Sequence, residues 1–168
     1  TGDWAEVPLT GRQFAGLYPV DLSPDDRLLA VGYLNGALRL FRFPSLELET
    51  TLGENLGIAS GVLFSPDGRE LHSVDFRGAI RLWDVAARRE KAAPTGGHMG
   101  LIMGAALSPD GHRLLTGGSY HAWDAVKLWD LTARREVLSL QGEGILFAHL
   151  AFSPDGSTLA ATAMSGTV

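Results

Sequence analysis

Four short segments place a serine hydroxyl two residues from a carboxylate: Ser23-Pro24-Asp25, Ser65-Pro66-Asp67, Ser108-Pro109-Asp110 and Ser153-Pro154-Asp155. A hydroxyl near a carboxylate is part of a nucleophile–base arrangement, and the chain also has five histidines, His72, His98, His112, His121 and His149. Recurrence in four places argues for turn geometry over catalysis. Proline presets φ, and the glycines that follow in three copies, Gly68, Gly111 and Gly156, accept positive φ. Asp26 takes that place in the first copy, and aspartate can visit the left-handed region. Metal chemistry has no better footing, because the histidines do not stand at ligand spacing on one strand face and no carboxylate cluster supports them. "GGHMG" at 96–100 is glycine-rich but lacks the strand–loop–helix setting and the Lys-Ser/Thr of a phosphate loop. No catalytic residue, metal or cofactor is expected.

The elements that position these residues follow from the bulk numbers. The chain has 168 residues, 45% hydrophobic and 20% charged, which suits one domain with a real core. It has 21 glycines, against about 7% in an average chain, and its apolar runs are short; both suit a turn-rich all-β fold. A formal charge of −5 gives no basic field for a nucleic-acid backbone. Cysteine is absent, so disulfides, thiolate metal sites and a cysteine nucleophile are excluded. The apolar run at Leu101–Leu107 is far below bilayer length, and the opening "TGDWAEVPLTG" has no basic-then-apolar leader. A cytoplasmic setting with no membrane partner is expected.

The serines are spaced by 42, 43 and 45 residues, so the chain repeats. A second series runs in phase: "ALRLFR" (37–42), "AIRLWD" (79–84) and "AVKLWD" (125–130). The serine-to-aromatic spacing is 18 residues in the first two copies (Ser23 to Phe41, Ser65 to Trp83) and 21 in the third (Ser108 to Trp129). Trp129-Asp130 is therefore the strand-end pair, and Trp123-Asp124 belongs to a three-residue insertion in the preceding turn. Each unit reads as four short strands. "NGA" (35–37) and "RGA" (77–79) form the second hairpin turn, and "AARRE" (86–90) and "TARRE" (132–136) lead into the fourth strand. Pro94 near that strand suits an outer edge.

Units of 40–45 residues ending in Trp-Asp resemble the WD-repeat β-propeller family, over nearly the whole chain. The resemblance implies an all-β propeller of four-stranded antiparallel blades, innermost strand first, with about four units. The parts are residues 1–13 (outer strand of a preceding or closing blade), 14–52, 53–93 and 94–140 (blades) and 141–168 (incomplete blade). Three arrangements stay open: a segment of a longer propeller, a homodimer completing a larger ring with Trp4–Leu9 of each chain finishing the other's last blade, or a chain that closes alone or stays open.

The resemblance also implies a buried hydrogen-bond set of His, Ser or Thr, a turn Asp and the strand-end Trp. Only the third unit comes close, with His98, Thr116 and Trp129; its turn Asp is missing unless Asp124 substitutes. The second keeps Ser73 and Trp83 but has Asn55 and Arg77 at the His and Asp places. The first has Gln13, Val31, Asn35 and Phe41, and the fourth has Glu143, Ala161 and Ser165. Apolar packing between blade faces is expected to do most of the work.

Two surfaces stand out. Tyr120, His121 and Trp123 sit in the insertion, either as a recognition loop or with Trp123 packed over a blade edge. Arg88-Arg89 and Arg134-Arg135 occupy the same turn in successive units, either as solvated charges balanced by Glu90 and Glu136 or as a docking patch for acidic partners; Arg77 in the second-unit turn is a further candidate. The leading function is a non-enzymatic protein–protein interaction scaffold for a protein or peptide partner. A propeller enzyme or small-molecule binder would need convergent His and carboxylate groups at the channel mouth, where Asp21 and His149 are the polar candidates. A self-assembling propeller segment is the third reading.

Overall fold

Each Ser-Pro-Asp segment joins the first two strands of an antiparallel sheet. In the computed structural model, residues 19–54, 56–98, 101–118, 126–140 and 147–163 are described. The first sheet holds β1 (Val20–Leu22), β2 (Leu28–Gly32), β3 (Leu38–Arg42) and β4 (Leu48–Gly53). The second holds β5 (Ala59–Phe64), β6 (Glu70–Asp75), β7 (Ile80–Asp84) and β8 (Arg89–Lys91). The third holds β9 (Ile102–Leu107), β10 (Arg113–Gly118), β11 (Val126–Asp130) and β12 (Arg135–Leu140). The last pairs β13 (Phe147–Phe152) with β14 (Leu159–Ala163). Neighbours in sequence are neighbours in each sheet, and there is no helix among the described residues. The all-β expectation holds. The first strands β1, β5, β9 and β13 pack in that order, and the described sheets do not close into a ring. Residues 1–18, including Trp4–Leu9, lie outside the described residues.

The serine at each first turn has a local structural job. Ser65 N–H donates to Glu70 O at 2.9 Å, its Oγ accepts Glu70 N–H at 2.9 Å and its hydroxyl donates to Asp67 at 2.6 Å. The same set recurs around Ser23, Ser108 and Ser153. The proton and at least one lone pair of each hydroxyl work within five residues, so the turn is encoded where it forms.

The turns also touch one another across units. A Cβ on Gly111, which has φ of +73°, would lie 2.9 Å from Pro66 Cδ of the preceding unit; one on Gly68 would lie 3.5 Å from Pro24 Cδ. Asp26 carries a side chain at φ of 57° in the first turn, where no such proline precedes it among the described residues. Gly111→Ala should therefore cost about 1–3 kcal/mol, the left-handed cost for an L-residue plus the clash with Pro66. Gly156→Ala, whose Cβ would meet Pro109 Cδ at 3.7 Å, should cost less. Urea unfolding of the two variants gives the comparison, and equal losses would mean that the turns do not pack across units.

The core lies between sheets. Ala30, Leu38 and Leu40 of the first meet Val62, Phe64, Leu71 and Trp83 of the second. Val74, Ile80 and Leu82 on the second sheet's other face meet Ile102, Leu114, Trp129 and Leu131 of the third unit. Leu115, Val126 and Leu128 then meet Phe147, Leu150 and Phe152 of the last. A sheet covered on both faces needs apolar residues at successive positions, which is why Leu82 and Trp83, pointing to opposite faces, are both buried. Pro94 is buried in the connection after β8, not set on an exposed sheet edge, since the ladder ends at Lys91.

Candidate functional site

The third unit brings His98, Thr116 and Trp129 together. Thr116 is fully buried at the middle of β10, and register sets it opposite Lys127 of β11, two residues from Trp129. Trp129 Nε1–H donates to Thr116 Oγ1 at 2.8 Å, and His98 Nε2 lies 2.6 Å from the same oxygen. The indole can only donate, so it takes one hydroxyl lone pair and leaves the proton and the second lone pair for other partners, His98 Nε2 among them. Lys127 Nζ donates to Gly97 O at 3.0 Å and pairs with Glu136 at 2.8 Å, which ties the His98 segment to β11 and β12. In the second unit, Trp83 Nε1–H donates to Ser73 Oγ at 3.0 Å.

Arg77 stands where the resemblance expects the turn aspartate, and the structure supplies that role from two residues earlier. The buried Asp75 accepts Arg77 N–H at 2.9 Å and Ala79 N–H at 3.0 Å, closing the β6–β7 turn. Asp75 was missed in the sequence; its signal was a turn opened by Asp with Gly three residues on. Asn35 closes the β2–β3 turn in the same way through Ala37 N–H, at 3.1 Å. Asn55, Tyr120, His121, Trp123 and Asp124 lie outside the described residues.

Asp21, a candidate for a channel-mouth site, is used otherwise. Its Oδ2 accepts Phe64 N–H of the next sheet at 2.7 Å and its Oδ1 accepts Leu22 N–H at 3.0 Å. Burial pushes its carboxyl up, against the pull of those two bonds. His149 is exposed on β13. The turn carboxylates differ: the serine hydroxyl beside each holds Asp25, Asp67 and Asp110 below the usual range, and Asp155 falls to about 2. Each serine hydroxyl is committed to its turn carboxylate. Among the described residues no three His, Asp or Glu side chains are placed to hold a metal.

The arginines fall at opposite ends of the sheets. Arg88 and Arg134 share one backbone geometry, with φ of 53° and 54°, in the β7–β8 and β11–β12 turns. Arg88 pairs with Glu49 of the first sheet at 2.5 Å, not with Glu90, and Glu136 serves Lys127. Glu90 instead faces Arg81 of its own sheet, and β4 of the first unit brings Glu49 within reach of the next unit's turn. Arg134 lines a groove of about 890 Å³ between the second and third units, together with Glu70, Leu82, Lys91 and His112. At the other end, a groove of about 750 Å³ runs between the first and second units and is lined by Leu34, Ile58, Phe76, Arg77 and Leu101. Leu34 is 48% exposed, and Ile58 and Leu101 are each 41% exposed. Arg77 is exposed too, and among the described residues no carboxylate pairs with it.

Residues 92–130, from the approach to His98 through the strand-end Trp129-Asp130, match the family model described as WD domain, G-beta repeat. No curated protein matches the chain. A WD repeat supports a protein-interaction scaffold role in general. The chain carries a WD repeat at residues 92–130, and its row of antiparallel sheets, three of them four-stranded, is consistent with the WD-repeat, propeller-like family.

Proposed function

We propose that the chain is a non-enzymatic interaction scaffold that binds a protein or peptide at the end of the sheets carrying the β2–β3 and β6–β7 turns. The observation that carries this reading is the 750 Å³ groove, lined by exposed Leu34, Ile58 and Leu101 together with Arg77, which no carboxylate pairs among the described residues. Exposed apolar side chains next to a free guanidinium suit an acidic residue flanked by apolar ones. The strands hold both ends of each turn, so little ordering entropy is lost on binding. The proposal places the protein in the cytoplasm without nucleic-acid or membrane partners. Exposed Val137, Leu138 and Leu140 on the outer strand β12, with described sheets that do not close, favour self-association into a larger ring as a secondary part of it. A one-chain mass by light scattering would remove that part.

Peptides selected from a display library against the folded chain test the main reading. They should be enriched in acidic–apolar sequences. Arg77→Glu and Leu101→Asp should each weaken binding at least about tenfold by calorimetry, as expected for hot-spot positions. Peptides that ignore both changes and are lost with Arg134→Glu would move the site to the opposite end.

A further inference from the structure

His72 is a buried titratable group with no part in the turns, the indole networks or the proposed binding end. It lies at the centre of β6, opposite Leu63 of β5 and Leu82 of β7, and is fully buried. Among the described residues neither ring nitrogen has a hydrogen-bond partner. Buried polar nitrogens are rarely left so, and each is costly. Strand alternation puts Glu70, His72 and Val74 on the face of the second sheet that packs against the third unit.

The charges around it form an unbalanced set. On its own strand, Glu70 Oε2 is 3.9 Å from His72 Nε2, beyond hydrogen-bond reach. Glu70 is already bridged to Lys91 of β8. Asp67, in the turn before β6, acts on the ring from farther away. Leu63 on β5 and Leu82 on β7 bring no charge. Across the interface, Asp110, His112 and Arg134 of the third unit line the 890 Å³ groove with Glu70, Leu82 and Lys91. The structure thus holds a neutral imidazole behind the groove wall, beside one carboxylate that already serves a cation.

We propose that His72 is a proton-operated latch on the interface between the second and third units, closed when the ring is neutral and opened through the groove when it is protonated. Adding a proton puts a charge on a fully buried ring that has no hydrogen-bond partner among the described residues, inside a wall of leucines, with Glu70 already bridged to Lys91. Burial of that extra charge is relieved when the sheets part and water enters along the groove. Burial lowers the ring to about 4 from 6.5 against the pull of Glu70, with Lys91 adding to the lowering and Asp67 opposing it. Its sign follows from linkage: between these values the unfolded or opened state binds more protons, so closure is fully present above about 6.5 and is lost as pH falls toward about 4.

Urea unfolding of wild type and His72→Leu between pH 7 and 4.5 is the first test. The wild-type folding equilibrium constant should drop by up to about tenfold per pH unit over this window. His72→Leu should remove that component and leave the shallower slope of the carboxylates. Hydrogen exchange at pH 5, corrected for intrinsic rate, should rise in β6, β7, β9 and β10 before β2 and β3. A variant slope equal to wild type, or exchange that rises uniformly across the sheets, would overturn the latch. Should His72→Leu not fold, NMR titration of the wild-type ring decides: a midpoint well below 6.5 that moves up in Lys91→Ala supports the latch, and a midpoint at or above 6.5, or one unmoved by Lys91→Ala, sinks it.

Discussion

Leu114→Ala should destabilise the chain by about 3–5 kcal/mol, near the top of the range for buried leucines, and Leu82→Ala by about 2–4 kcal/mol. Both residues belong to the cluster between the second and third units, with Val74, Ile80, Ile102, Trp129 and Leu131. Leu114 is 0% exposed and Leu82 is 4% exposed. Truncating Leu114 leaves a void walled by protein on every side, which keeps the full cavity cost. Leu82 borders the groove, so water and neighbouring side chains can enter the space left behind and soften the loss. Leu140→Ala, on the exposed strand β12 where Leu140 is 46% exposed, should cost less than about 1 kcal/mol. Urea unfolding with m held constant across the three variants gives the order directly. A Leu82 loss below about 1 kcal/mol would mean that Leu82 does not pack in the cluster between the second and third units.

Thr116→Val should cost about 2–4 kcal/mol although the side chains are nearly equal in volume. The hydroxyl is the acceptor for Trp129 Nε1–H and the partner of His98 Nε2, and all three side chains are buried. Removing it strands two polar groups, each at about 1–3 kcal/mol, with partial relief if His98 reorients. Ser73→Ala strands only Trp83 Nε1–H and should cost about 1–2 kcal/mol. A double-mutant cycle of Thr116→Val with Trp129→Phe should give strong coupling, because the second change removes the donor that the first leaves unpaired. Additive losses, or equal small losses for Thr116→Val and Ser73→Ala, would show that the third unit has no working network.

What the amino-acid sequence determined by itself is the part whose causes are local. Ser65, Asp67 and Glu70 satisfy one another within five residues, so the turn is written where it forms, and four copies give the period. The same period separates Trp129 from Trp123, since only Trp129 keeps the strand frame with Lys127 and Leu128. What the tertiary structure alone decided are pairings set by how one sheet lies on the next. Arg88 meets Glu49, 39 residues away, in preference to the adjacent Glu90. Asp21 reaches Phe64, 43 residues on, and so becomes a strap between sheets instead of part of a channel site. Gly111 is needed for Pro66 as well as for its own φ. His72, one of five histidines with no distinguishing neighbours in sequence, is sealed in only because the third unit covers its face of β6. Local hydrogen bonds depend on residue type and spacing along the chain, whereas these contacts depend on the twist and offset between sheets, which emerge only when the apolar faces have packed.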